Sequence, residues 1–130
     1  MRALIVDDSR AMRRIVGRIL DGAGFEVLEA GDGQQAIDVL AAQDEPPELA
    51  CVDWNMPVMD GLSFITEVRK RPEWRRITLM MVTTESEQDR IVRALAAGAH
   101  EYLIKPFTAD ALVEKLDLLG LTPIPAGDPS

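Results

Sequence analysis

Short, continuously apolar runs alternate along the chain with longer stretches in which apolar residues recur every three or four positions. Ala3–Val6 is an unbroken apolar run that stops at Asp7-Asp8, the pattern of a strand buried on both faces. Met12, Ile15, Val16, Ile19 and Leu20 then fall on one helical stripe, capped by Ser9 and ended by Gly22-Ala23-Gly24. Phe25–Ala30 predicts a second, weaker strand. Asp32 caps a helix carrying Ala36, Ile37, Val39 and Leu40, which fades into the polar loop Gln43–Glu48. Leu49–Val52 predicts a third strand ending at Asp53, and Gly61 leads into a helix with Leu62, Ile65 and Val68 that stops at Pro72. Ile77–Val82 predicts a fourth strand ending at Thr83-Thr84. A helix follows over about Glu87–Ala97, with Ile91, Ala94 and Leu95 inward and Gly98 as its stop. Glu101–Ile104 predicts a fifth strand, and Thr108 caps a last helix bearing Leu112, Leu116 and Leu119.

Strand and helix thus alternate five times, which predicts an α/β fold with a parallel sheet covered by helices on both faces. A chain of 130 residues holds one such domain, over 1–120, followed by a Pro-rich flexible tail over 121–130. No internal repeat or low-complexity tract interrupts the pattern. In open sheets of this kind, ligands bind beyond the carboxyl ends of the strands. The residues there are Asp7-Asp8 after the first strand, Asp53 after the third, Thr83 after the fourth and Lys105 after the fifth.

Three carboxylates and one ammonium therefore converge on one crevice. Like charges this close are unfavourable unless a cation compensates. A hard divalent ion with oxygen ligands does so, and Mg²⁺ commonly takes one or two carboxylates and leaves other positions to water and phosphate oxygens. Helix capping accounts for Asp8 or Ser9 singly, but not for the whole set.

Charge changes this picture little. The formal net charge is −8, which argues against a nucleic-acid-binding module and against a polybasic membrane anchor. From Asp21 to Val68 there is no lysine or arginine, while half of the 22 acids lie there. Most of these, such as Glu26, Glu29, Asp38, Asp44, Glu45 and Glu48, belong to a solvated surface. Cys51, the single cysteine, reads as a small buried hydrophobe, and no Cys/His cluster has metal-ligand spacing. His100, the one histidine, reads as structural or surface. No run resembles a signal peptide or approaches the ~20 apolar residues of a membrane span, so the expected compartment is the cytoplasm.

Ile5-Val-Asp-Asp-Ser9, Val52-Asp-Trp-Asn-Met-Pro-Val-Met-Asp-Gly61, Thr83-Thr-Glu85 and Glu101-Tyr-Leu-Ile-Lys-Pro-Phe107 together resemble the receiver domains of two-component response regulators. The resemblance covers about residues 1–120, with separate motifs matching in order and spacing. Within that family the chain is most similar to the stand-alone chemotaxis regulators, on Asp53-Trp-Asn-Met-Pro57, Met12-Arg-Arg-Ile-Val16 and Tyr102 to Phe107. The resemblance implies a doubly wound (βα)5, flavodoxin-like fold with strand order 2-1-3-4-5. It implies that Asp53 is the phosphoacceptor, with Asp7, Asp8, Asp53 and the backbone carbonyl of Asn55 around Mg²⁺. Lys105 would bind the phosphoryl oxygens, and Thr83 would donate its hydroxyl to them and draw in its loop. Tyr102 would move between exposed and inward rotamers, and the Lys105–Pro106 bond would be cis. Asn55 and Glu85 occupy positions that tune dephosphorylation, and their identities imply a short-lived phosphoryl group. Thr84 departs from the smaller residue common there.

The partners so implied are a histidine kinase or histidine phosphotransfer protein and a downstream protein bound around Tyr102, with chemotaxis at the flagellar motor switch as pathway. Neither nucleic acid nor membrane is among them, and the chain would act as a monomer. The protein is then a phospho-accepting switch that assists its own phosphorylation and dephosphorylation, not an enzyme. A phosphorelay shuttle or phosphate sink is the alternative. An Mg-dependent aspartyl-phosphate phosphatase needs an Asp-x-Asp motif after the first strand, and a flavin carrier needs a neutral phosphate loop there; Asp7-Asp8 fits neither.

Other residues read more plainly. Trp54 is expected to be a partly exposed rim residue reporting Mg²⁺ and phosphorylation by fluorescence, over a background from Trp74. Arg10, Arg13, Arg14 and Arg18 form either a solvated helix face or a docking face for the phosphodonor. Arg69-Lys-Arg71 and Arg75-Arg76 read as surface charge, Met56 and Met59 as loop packing, and Gly31-Asp-Gly33 as a turn.

Overall fold

The computed structural model describes residues 1–121, so all of the expected tail except Leu121 lies outside the described residues. Strands β1 (Arg2–Val6), β2 (Glu26–Ala30), β3 (Leu49–Val52), β4 (Thr78–Thr83) and β5 (Glu101–Ile104) alternate with helices α1 (Arg10–Gly22), α2 (Gly33–Ala41), α3 (Gly61–Lys70), α4 (Gln88–Ala97) and α5 (Ala109–Leu118). All strand pairings are parallel, in the order β2-β1-β3-β4-β5. No helix among the described residues is long and apolar enough to cross a membrane.

Side-chain alternation along each strand divides the core into two layers. Leu4, Val6, Ala50, Val52, Leu79, Met81 and Tyr102 face one layer, which α2, α3 and α4 close with Leu40, Phe64, Ile65, Val68 and Ala94. Ala3, Ile5, Leu49, Cys51, Met80, Val82 and Leu103 face the other, closed by Val16 and Leu20 of α1 and by Leu112 and Leu116 of α5. Burial on both faces is why these strands read as unbroken apolar runs.

Four helices start where the sequence places a capping side chain. Ser9, Asp32, Asp60 and Thr108 accept from the amides of Met12, Gln35, Ser63 and Ala111, each a contribution of about 1 kcal/mol. At the end of α4, Gly98 adopts φ 124°, a conformation that a side chain strains to reach. A Cβ there would also meet the side chain of Arg69 at 2.6 Å.

Several expectations change. Ile15 and Leu95 lie on the apolar stripes by spacing yet are 49% and 43% exposed, because the covered arc of each helix is narrower than its stripe. A short 3-10 turn, Pro72–Trp74, follows α3 and buries Trp74, on which Arg71 stacks with its guanidinium carbon 4.6 Å from the ring centre. Arg69 is not surface charge. It is half-buried, and its guanidinium donates to the Gly98 carbonyl at 2.9 and 3.2 Å and to the Arg75 carbonyl at 3.1 Å. Arg71 and Arg69 thereby tie α3 to its surroundings.

Candidate functional site

The strand order reverses between β1 and β3, which lie side by side with Val6 opposite Val52. The next residue of each strand, Asp7 and Asp53, is therefore delivered to the same crevice. The backbone holds them there: the Asp53 amide donates to the Val6 carbonyl at 2.9 Å, and that of Asp7 to the Ala30 carbonyl at 3.1 Å. Asp7 and Asp53 are buried, Asp8 is exposed, and each offers a carboxylate oxygen within 4.8 Å of the other two.

Lys105 enters from β5. Its amide donates to the Thr83 carbonyl at 2.9 Å, and the following Lys105–Pro106 bond is cis, as expected. Its ammonium donates to Asp7 at 2.8 Å and stands 3.5 Å from Asp53. One cation thus faces three carboxylates. The donor set is all hard oxygen and carries a net negative charge, which suits a divalent ion of the Mg²⁺ class and not a thiolate-bound metal. Cys51 lies buried in the core layer, and burial pushes its thiol up to about 12.

Thr83 is fully buried at the end of β4, where its hydroxyl oxygen accepts from the Glu85 amide at 3.3 Å. Tyr102 points inward: the ring is buried, and its hydroxyl donates to the Glu85 carbonyl at 2.6 Å. Burial, with the nearby carboxylates of Glu85 and Asp53, pushes this phenol up to about 12. Asn55 is exposed on the loop after β3, and Glu85 is half-buried on the loop after β4.

One expectation near the site is overturned. Trp54 is no rim residue: it is 4% exposed and belongs to the core layer beneath α4. The loop after β3 turns its indole inward, where the Arg90 guanidinium covers it at 5.6 Å from the ring centre. Arg13 is only partly solvated and lines the cavity beside the strand ends together with Arg10 and Arg14. It donates to the Asp7 carbonyl at 2.6 Å and pairs with Glu29 at 3.0 Å, bracing the first strand end. Met56 and Met59 pack against the core as expected.

Residues to which the sequence assigned no role at the site complete it. A Cβ on Gly61 would sit on the Asp53 carbonyl, so α3 starts against the acceptor strand only because this residue has none. The Gly61 amide donates to the Trp54 carbonyl at 2.8 Å. Val58 adopts φ 68°, a strained conformation for a β-branched residue, while Met59 donates across it to the Pro57 carbonyl at 2.7 Å. Arg90 carried no sequence signal at all.

The chain is similar to known proteins over most of its length. Residues 3–117 match the family described as the response regulator receiver domain. The chain is 42% identical over 120 residues to the chemotaxis protein CheY1 of Helicobacter pylori, covering 92% of this chain and 96% of that one. The solved structure of Vibrio cholerae chemotaxis protein CheY4 superposes with a TM-score of 0.83 at 33% identity, covering 90% of this chain and 96% of that one. The receiver domain of a sensor histidine kinase from Pseudomonas aeruginosa, solved with a magnesium ion in its active-site cleft, gives 0.80 at 28% identity over 90% of this chain and 94% of its own. With its parallel sheet, its strand-end acids and the match over nearly its whole described length, the chain belongs to the response regulator receiver domain family.

Proposed function

We propose that residues 1–120 act as a single-domain response regulator that accepts a phosphoryl group on Asp53 and signals by binding a protein partner. The observation that carries this reading is the cluster of Asp7, Asp8 and Asp53 within 4.8 Å, with the Lys105 ammonium beside it. Such a cluster costs stability unless it serves a cation and an anionic group.

In this reading an Asp53 carboxylate oxygen attacks the phosphorus of a phosphohistidine. The new O–P bond forms as the N–P bond breaks, and the imidazole leaves. Asp7, Asp8, Asp53 and the carbonyl of Asn55 would hold Mg²⁺, which when bound offsets charge on the transferring group. Lys105 meets the phosphoryl oxygens as a point charge, 3.5 Å from the acceptor carboxylate at rest. Thr83 gives up the Glu85 amide and donates its hydroxyl to the phosphoryl group, which draws the following loop inward. Tyr102 follows that loop through its bond to the Glu85 carbonyl. Asn55 and Glu85, flanking the crevice, tune the attack of water.

Exposed Arg10 and Arg14 border a cavity of about 460 Å³ beside the strand ends, which supports docking of an acidic phosphodonor domain there. Output runs through the face of α4, β5 and α5 around Tyr102. The likeness to chemotaxis proteins at about 40% identity supports chemotaxis as the pathway. In this reading the cytoplasm is the compartment and a monomer the acting form.

Intact mass after incubation with a small phosphodonor and Mg²⁺ tests the reading. One phosphoryl adduct is expected, absent in Asp53→Asn and absent with chelator. An adduct that survives Asp53→Asn overturns the assignment.

A further inference from the structure

Arg90 stands in the first turn of α4, at the positive end of the helix dipole, where a cation is unfavourable. What it holds explains its place. Nε lies 3.8 Å from a Glu85 carboxylate oxygen, and the guanidinium carbon lies 5.6 Å from the centre of the buried Trp54 ring. A guanidinium covers indole with its planar face while its edge meets a carboxylate, so Trp54 fixes the direction from which Arg90 meets Glu85. The same Glu85 oxygen accepts from the Glu87 amide at 3.4 Å. The Glu85 side chain is only 17% exposed although it belongs to a loop, and its carboxylate is turned to the start of α4. The backbone of Glu85, by contrast, is tied to the crevice. Its amide donates to the Thr83 hydroxyl oxygen at 3.3 Å, and the Thr83 carbonyl takes the Lys105 amide at 2.9 Å.

We propose that Arg90 is a positioning residue that holds the Glu85 carboxylate against α4 and so keeps the mouth of the crevice open to phosphodonor and to water. This rests on the reading of Asp53 as phosphoacceptor and of Glu85 as a residue that tunes the attack of water. Without Arg90 the carboxylate turns toward the Lys105 ammonium. There its charge repels an anionic phosphodonor, and its bulk covers the phosphoryl group against water. Gain and loss of the phosphoryl group both slow.

The test follows the mass of the full chain over time with acetyl phosphate and Mg²⁺, and again after the donor is removed. Acetate leaves as the Asp53 O–P bond forms. In hydrolysis a water oxygen bonds to phosphorus as that bond breaks, and inorganic phosphate departs with the water's protons. Arg90→Ala is expected to slow both steps by about two- to fivefold, the range open to an ion pair of this exposure. Arg90→Lys keeps the charge without the stacking and must recover part of each rate. Loss of a cation slows an anionic donor by itself, so the decisive comparison is made on Glu85→Gln. In that background Arg90→Ala is expected to change neither rate, because the charge it positions is gone. Equal slowing with and without Glu85 overturns the proposal, as do wild-type rates in Arg90→Ala or in Glu85→Gln. Urea unfolding confirms that each variant is folded. Should Arg90→Ala fail to fold, Arg90→Gln removes the charge with less loss of side chain and must show the same slowing. A missing adduct in the wild type overturns the phosphoacceptor reading itself, whereas the rate comparisons overturn the part of Arg90 alone.

Discussion

The Lys105 ammonium donates to Asp7 at 2.8 Å and stays 3.5 Å from Asp53, so the resting cation sits closer to the first strand end than to the acceptor. Asp53 is left less compensated, beside two other carboxylates within 4.8 Å. Two substitutions should therefore act in opposite directions. Asp53→Asn removes repulsion and stabilises the metal-free protein by about 1 kcal/mol. Lys105→Met leaves the acids facing one another and destabilises it by about 2 kcal/mol, since a buried charge has lost its partner. Urea unfolding in chelator reads both. Added Mg²⁺ should shift the wild type upward by mass action and narrow its gap to Asp53→Asn. A destabilised Asp53→Asn in chelator would refute this account of the charge balance.

Gly61 allows α3 to start against the acceptor strand. In Gly61→Ala the new methyl group meets the Asp53 carbonyl and the Trp54 backbone, none of which can yield without moving the strand end. The expected cost is about 2–3 kcal/mol, in the range of overpacked cores. Phosphorylation slows as well, because Asp53 is displaced relative to Asp7. Urea midpoints together with the rate of adduct formation check this. An unchanged rate would mean that the strand end absorbs the methyl group elsewhere.

Val58 should be improvable. It holds φ 68° while 83% exposed, so its side chain gains little from packing and suffers the full strain of the conformation. Asn tolerates this region, and Val58→Asn should stabilise by about 1 kcal/mol without altering phosphorylation. A variant less stable than the wild type would show that the valine makes a contact worth more than the strain.

Cys51 should be silent in the folded protein. It is buried in β3 and its thiol is pushed up to about 12, so at pH 8 it is neither accessible nor ionised. A disulfide reagent should react only through unfolding, at a rate that falls about tenfold for each 1.4 kcal/mol of added global stability. Rapid labelling of native protein, independent of stabilising variants, would contradict this.

The chemistry at the strand ends is legible in sequence because a parallel strand buried on both faces breaks sharply. Ala3–Val6 gives way at once to Asp7, and Leu49–Val52 to Asp53, so the crevice residues announce themselves. Helix starts are legible for a similar reason, since capping needs one side chain three residues from its amide. What stayed hidden depends on pairs brought together only by folding. Arg69 and Gly98 are 29 residues apart, and nothing in Arg69-Lys-Arg71 marks which of the three cations turns inward. Arg90 is equally silent until Trp54 lies beneath it. Trp54 is hidden as well, because a residue following a strand-end acid has no periodicity to show which way it points. Val58 is illegible in a stronger sense, as its side-chain type argues against the backbone conformation it adopts.

His100 makes stability fall in mild acid. Its Nδ1 accepts from the Leu79 amide at 3.1 Å and faces the Arg69 guanidinium at 3.3 Å, so its lone pair is in use and a proton there would meet two donors. Burial, reinforced by the Arg69 charge, lowers its pKa below the ordinary 6.5. Above that value the imidazole is neutral both folded and unfolded, and the contribution is complete. As pH drops through 6.5 the unfolded chain takes up a proton that the folded protein resists, so stability declines until the folded form protonates as well. His100→Asn isolates this effect, because its side-chain oxygen can accept from the Leu79 amide but does not titrate. Urea midpoints measured from pH 8 to pH 5 should therefore fall more steeply for the wild type than for His100→Asn, with the difference opening below about 6.5. Parallel curves across that interval would show that His100 takes its proton as readily folded as unfolded.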